Sequence, residues 1–127
     1  MSQFFVVVFI SSLIFVDCYT EVSVHSPIYL KGQVYCEAPY VFLPEAKATL
    51  MEADLIMDDL VKSWKLPVGL STSNFTQRLD PVEDGWLDGT AELYWRFENV
   101  CQKGHIVVVD NIYQRRINLT PPPSTRF

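Results

Sequence analysis

Apolar and polar residues alternate along residues 28–36, which form the most regular stretch of the chain. Apolar or small side chains fall on one side and mostly polar ones on the other, the period of two that is typical of a half-buried β-strand. The same pattern returns over residues 93–101. Both stretches end in a cysteine on the apolar side, Cys36 and Cys101. We therefore expect these two strands to pair with each other.

Shorter stretches predict further strands over residues 46–54, 61–66, 72–79, 105–109 and 112–119. The strand at 61–66 contains lysines, which favours a position at the edge of a sheet. An apolar loop at 40–43 is flanked by prolines, and we expect it to fold over the core; an exposed contact surface is the alternative. Frequent turns and the lack of an amphipathic helical pattern predict an all-β sandwich or barrel.

The start of the chain predicts export. Residues 4–16 form an apolar run of signal-peptide length, shorter than the roughly 18 residues of a membrane span. Val16 and Cys18 suit a cleavage site after residue 18. We therefore predict a signal peptide at 1–18, a secreted domain at 19–120 and a Pro-rich tail at 121–127, with no membrane span after cleavage. A retained signal anchor is the alternative, because no Lys or Arg precedes the apolar run.

Cleavage would leave two of the three cysteines, Cys36 and Cys101. Two remaining cysteines in a small exported domain most often form a disulfide, and two buried free thiols are the alternative. Two N-glycosylation acceptor triplets begin at Asn74 and Asn118. Asn118 is the poorer acceptor because Pro121 directly follows its threonine.

Charge and composition exclude several classes of function. The formal net charge of −5 argues against a nucleic-acid partner and against electrostatic docking on anionic lipid. The acidic residues around 52–59 lack the spacing of a calcium loop, so we expect a solvated loop there. No metal-ligand spacing is present, and we predict neither a metal nor a cofactor.

The mature chain expected after cleavage, residues 19–127, resembles the nematode transthyretin-like family of secreted proteins over most of its length. Three blocks carry the resemblance: Lys-Gly-Gln-Val-Tyr-Cys at 31–36, Ala-Thr-Leu-Met-Glu-Ala-Asp at 48–54 followed by Asp-Asp-Leu at 58–60, and Tyr-Trp-Arg-Phe-Glu-Asn-Val-Cys at 94–101. Asn99 stands where the family usually has histidine. The resemblance implies a transthyretin-like β-sandwich of seven to eight strands, with Greek-key character and one disulfide. It also implies an extracellular binding or signalling role toward a protein, a lipid or a small apolar ligand.

Two other functions are compatible with the same fold. One is a hydrolase of the hydroxyisourate type, whose motifs include histidines and a C-terminal Tyr-Arg-Gly-Ser. This chain ends in Pro-Ser-Thr-Arg-Phe, and no motif joins His25 and His105 to a nucleophile and an orienting group. We therefore predict that the protein is not an enzyme and has no catalytic residues. The other is an oligomeric carrier of a small hydrophobic ligand; the oligomeric state stays open.

Three tyrosines are the candidate binding residues. Tyr29 and Tyr35 lie on the polar side of the first strand, and Tyr94 lies on the polar side of the strand expected to pair with it. Aromatic side chains are enriched in interface cores, so these three residues would form one exposed patch. Ordinary half-buried strand positions are the alternative for each of them.

Overall fold

The computed structural model describes residues 4–9, 12–17, 19–23, 25–53, 56–80 and 90–123. Within these ranges the regular elements are all strands. They are β1 (Phe4–Phe9), β2 (Ser12–Asp17), β3 (Thr20–Ser23), β4 (Ile28–Tyr35), β5 (Lys47–Glu52), β6 (Asp59–Trp64), β7 (Thr72–Leu79), β8 (Thr90–Glu98), β9 (Ile106–Val109) and β10 (Arg116–Asn118). The predicted all-β class is confirmed, and the described part contains no helix that could cross a membrane.

Strands β1 and β2 pair with each other in an antiparallel hairpin. Both strands fall inside the predicted signal peptide, 1–18. The removal of that peptide, and the domain boundaries that follow from it, stay predictions.

The remaining strands form two sheets. The β4 sheet has the order β10-β4-β7, with β4 antiparallel to β7 and parallel to β10. The β8 sheet has the order β3-β8-β5-β6, and β9 also pairs with β8. Strands β3 and β9 lie end to end along the same edge of β8, since β3 pairs with its first half and β9 with its second half. The backbone N–H of Thr20 donates to the Asp110 carbonyl oxygen at 3.1 Å and joins the two short strands.

The predicted pairing of the first strand with the strand at 93–101 is wrong. Strand β4 pairs with β7 and β10, whereas β8 pairs with strands of the other sheet. Alternation tells which face of a strand is buried, but not which strand lies beside it. The two apolar faces instead meet across the core, and the Cys36–Cys101 disulfide joins the ends of the two sheets. The presence of this bond confirms the predicted disulfide.

One hydrophobic core lies between the sheets, in a β-sandwich-like arrangement. Leu30 and Val34 of β4 and Leu50 of β5 are buried in it, as their alternation predicts. Aromatic side chains pack against each other in the core. Trp95 of β8 lies edge-on against Trp64 of β6, with ring centroids 5.3 Å apart. Aromatic pairs in this geometry contribute about 1 kcal/mol beyond their burial.

Most of the predicted strands are present, with shifted ends. Strand β7 covers the predicted residues, and β6 is an edge strand as expected. The predicted strand at 112–119 is reduced to the three residues of β10, because Ile112 and Tyr113 lie in a turn. Strand β3 lies before residue 28, where the sequence predicts no strand. In the predicted lid, Phe42 is only 1% exposed, which confirms that the loop folds over the core.

Candidate ligand-binding cleft

A cleft of about 360 Å³ opens between the two sheets at the end where β4 begins. The disulfide lies just past the other end of β4. Eight residues of strand separate the two, a distance of about 25 Å at the rise of an extended chain. The disulfide thus closes one end of the sandwich, and the cleft lies at the opposite end.

The floor of the cleft is aliphatic and comes from both sheets. Ile28 at the start of β4 lies opposite Leu79 at the end of β7, and Val22 of β3 lies opposite Ala91 of β8. Leu93 follows on the same face of β8. These are inward positions of their strands, and the core beneath them is continuous. An apolar molecule placed here would contact side chains of both sheets.

A β-bulge in β6 shapes one wall. Leu50 of β5 pairs with Lys62, but the next residue of β5 pairs with Leu60, so Val61 is an extra residue in β6. A bulge re-aims the side chains on either side of it. As a result both Val61, which is 39% exposed, and Lys62 line the cleft.

Charged side chains form the rim. Lys62 Nζ donates to the carbonyl oxygen of Arg78 at 3.0 Å, and Arg78 Nε lies 3.1 Å from a carboxylate oxygen of Asp80. The Arg78 guanidinium also lies over the Tyr29 ring, 5.7 Å from its centroid. Two cations and one anion leave the rim with a net positive charge. This arrangement suits a ligand with an apolar body and one anionic group.

A larger hollow of about 690 Å³ lies on the outer side of the β8 sheet. Apolar side chains such as Met51, Leu60 and Trp64 line it together with the charged Lys47, Lys65, Arg96 and Glu98, and all of them come from one sheet and its flanking residues. The cleft is the better candidate because its floor is aliphatic and is supplied by two sheets.

The structure separates the three predicted binding tyrosines. Tyr29 is 65% exposed on the outer face of the β4 sheet, and Tyr35 is half-buried on the same face beneath the Arg116 guanidinium. Tyr94 belongs to the other sheet and is only 6% exposed. The predicted common patch is wrong, because it required β4 and β8 to be neighbours. Of the three, only Tyr29 lies beside the cleft, through its contact with Arg78.

Tyr94 is held by two neighbours that the sequence did not indicate. Its ring stacks on Tyr19, with centroids 4.5 Å apart, and its hydroxyl donates a short hydrogen bond to the Asp58 carboxylate. Burial, with a further contribution from the Asp58 hydrogen bond, raises the pKa of Tyr94 well above the ordinary tyrosine value. Asp58 therefore has a structural partner in the segment that we expected to be a solvated acidic loop.

The two histidines lie at opposite ends of the sandwich. His25 precedes β4 at the cleft end, and its backbone N–H donates to Ser23 Oγ at 3.3 Å. His105 precedes β9 at the disulfide end, where its carbonyl oxygen accepts from the Asn99 N–H at 3.0 Å. Among the residues that the structure describes, no three His, Cys, Asp or Glu side chains converge as metal ligands would.

The two glycosylation candidates both lie on exposed strand positions of the β4 sheet. Asn74 is in β7, and Asn118 is in β10. Pro121, the first residue of the predicted tail, is buried.

Comparison of the chain with protein-family models, with curated proteins and with solved structures finds no match. The sequence contains no pattern that predicts the cleft. Its floor consists of ordinary inward strand positions, and the bulge that turns Val61 toward it has no local signature.

Proposed function

We propose that the chain is a secreted, extracellular binding or signalling module of the transthyretin-like family, and that a small apolar ligand with an anionic group occupies its cleft. The carrying observation is an aliphatic floor, supplied by both sheets, beneath a rim that holds Lys62 and Arg78. A mostly apolar concave site with a few polar groups is the usual form of a small-molecule site.

The fold supports the family part of this proposal. Eight strands, β3 to β10, form two facing sheets in the described part of the chain, within the predicted range of seven to eight. The disulfide supports the extracellular part, since such bonds persist in oxidising compartments.

The separation of the histidines supports binding over hydrolysis. A hydrolase of the alternative type would bring its histidines to one substrate, whereas His25 and His105 lie at opposite ends of the sandwich. The carrier alternative differs in another way, because it places the ligand between copies of the chain and not inside one copy.

The test uses two fluorescent naphthalene dyes: anilinonaphthalene sulfonate, which is anionic, and phenylnaphthylamine, which is neutral. Val61→Trp should fill the cleft from a partly exposed position and lower the affinity for both dyes about tenfold, a loss of about 1.4 kcal/mol. Val108→Trp is the matched control, since Val108 is 43% exposed in β9 and does not line the cleft. We expect it to leave both affinities unchanged.

Arg78→Gln separates the charge from the apolar contact. The affinity for the sulfonate dye should fall several-fold and the affinity for the neutral dye should stay unchanged, because only the sulfonate group binds the guanidinium. One dye bound per monomer supports the cleft, while one per two copies supports the carrier alternative. Failure of the wild-type protein to bind either dye, or equal losses from the Val61 and Val108 variants, would overturn the proposed site.

A further inference from the structure

Strand β7 is a long sheet edge whose middle is open, and its one charged residue, Arg78, lies near its end. It lies at the end of the β10-β4-β7 order and runs for eight residues, Thr-Ser-Asn-Phe-Thr-Gln-Arg-Leu. It has no proline, no lysine and no break in its register with β4. Proteins usually protect such edges with one of these devices, because an open row of backbone groups invites pairing with another chain.

The hydrogen bonds show which residues of β7 face outward. The carbonyl of Ser71 accepts from the Cys36 N–H, so odd-numbered residues from 71 to 79 direct their backbone groups toward β4. The backbone N–H and C=O groups of the even-numbered residues therefore point away from β4. In agreement, the Leu70 carbonyl accepts from the Phe42 N–H at 2.8 Å, and the Arg78 carbonyl accepts from Lys62.

Both ends of this edge are thus occupied, and its middle is open. The outward residues of the middle are Thr72, Asn74 and Thr76. The Asn74 carbonyl accepts a local hydrogen bond of 3.4 Å from the Ser73 hydroxyl. The other outward backbone groups of these three residues have no partner among the described residues.

The other edges have protection of their own. Strand β6 carries the bulge at Val61 and a lysine, and β10 is three residues long. Strands β3 and β9, which share one edge of β8, divide it into two short segments of four residues each. The middle of β7 is the open edge that lacks a comparable device in the described part of the molecule.

The acceptor triplet Asn74-Phe75-Thr76 occupies this open middle. Asn74 is exposed, and its Oδ1 accepts from Gln33 Nε2 at 3.3 Å, while its Nδ2 makes no hydrogen bond to the described residues. Asn118 differs, because its Nδ2 donates to Glu37 Oε1 at 2.9 Å and its Oδ1 accepts from the Thr120 N–H at 3.0 Å. Of the two acceptor asparagines, Asn74 is therefore the one whose amide nitrogen can be modified without the loss of a hydrogen bond to the described residues.

We propose that Asn74 carries an N-linked glycan and that this glycan protects the β7 edge from pairing with a second copy of the chain. The transfer forms a bond between Asn74 Nδ2 and C1 of the first sugar. It breaks the bond between that C1 and the pyrophosphate of a lipid-linked oligosaccharide donor; the amide gives up one proton, and the lipid pyrophosphate leaves. The inference rests on the export that the proposed function requires.

The geometry explains why a glycan at this position is effective. Two copies of β7 can pair antiparallel through their outward residues, with Asn74 opposite Asn74 and Thr72 opposite Thr76. Threonine favours strand pairing, so this contact is favourable when unmodified. Directly opposed side chains lie about 5 Å apart, which leaves no room for two glycans.

The test expresses the full chain in eukaryotic secretory cells and measures site occupancy by mass spectrometry and association by sedimentation velocity. Asn74→Gln and Thr76→Ala both remove the acceptor triplet, and we expect both secreted variants to self-associate at least tenfold more tightly than wild type. Thr76→Ser keeps the triplet and should stay monomeric. Asn118→Gln is the matched control and should leave association unchanged. Adding Thr72→Lys to Asn74→Gln should restore the monomer by charging the edge.

The failures of export and of the glycan can be told apart. A chain retained in the cell without a glycan overturns both the export and this inference. An exported wild-type chain with unmodified Asn74 overturns the glycan alone. Exported Asn74→Gln and Thr76→Ala variants that stay monomeric overturn the protective role.

Discussion

Removal of the Cys36–Cys101 disulfide should destabilise the domain mainly through its unfolded state. The bond closes a loop with a sequence separation of 65 residues. In the chain-entropy account, opening a loop of this length costs about 4 kcal/mol at 25 °C. For a domain of this size the thermal midpoint should fall by about 15 °C.

The variant to measure is Cys36→Ala with Cys101→Ala, because a single substitution would leave an unpaired thiol. Thermal and urea unfolding are followed by near-ultraviolet circular dichroism. Since the unfolded chain becomes less compact without the cross-link, the urea m-value should rise as the midpoint falls. Wild-type protein in reductant is the matched control, because it loses the cross-link but keeps both buried sulfur atoms.

The two measurements separate loop closure from packing. Equal midpoint losses in the variant and in the reduced wild type would assign the effect to the loop. An unchanged midpoint in both would contradict the loop-closure explanation and show that the bond is dispensable. A lower midpoint with an unchanged m-value would place the effect in the folded state instead.

Three further predictions concern single residues. Gly32→Ala should cost about 3 kcal/mol, because a Cβ atom would lie 2.6 Å from the Arg115 carbonyl oxygen, and urea unfolding measures this cost. Phe42→Ala should cost about 3 to 4 kcal/mol, since the side chain is fully buried beneath its loop, and it should lower the thermal midpoint accordingly. Tyr94→Phe should lose about 1 kcal/mol at neutral pH with the hydrogen bond to Asp58. Above about pH 10 an unfolded tyrosine loses its proton, whereas folded Tyr94 keeps it. The free energy of unfolding of the wild type should therefore fall above that pH. The difference in this free energy between the wild type and Tyr94→Phe should shrink as a result.

Each of these three predictions has a control variant or a result that would contradict it. A wild-type midpoint for Gly32→Ala would mean that the backbone at 115 can move away freely. Val41→Ala is the control for Phe42→Ala, since Val41 is exposed in the same loop, and equal losses would contradict the lid. Tyr113→Phe is the control for Tyr94→Phe, and a gap that widens above pH 10 would contradict the raised pKa of Tyr94.

Strand positions and their buried faces were largely predictable, because alternation reports the face directly. Leu30, Val34 and Leu50 are buried where the pattern placed them. The partner of each strand was not predictable in the same way. The alternating faces of β4 and β8 are alike whether the strands lie side by side or face each other across a core.

The disulfide was predictable from the cysteine count and the predicted signal peptide, because cleavage after Cys18 would leave a single pair. The contacts of Tyr94 were not, since Tyr19 and Asp58 are distant in sequence and have no shared motif. The cleft also escaped prediction, because it depends on the register shift that adds Val61 to β6.

The cleft is tested most directly by nuclear magnetic resonance of methyl-labelled protein in the presence of the sulfonate dye. We expect nuclear Overhauser effects from the dye's aromatic protons to the methyl groups of Val22, Ile28 and Leu93, which lie on both sheets. Effects confined to Ile106 and Val108, which do not line the cleft, would contradict it.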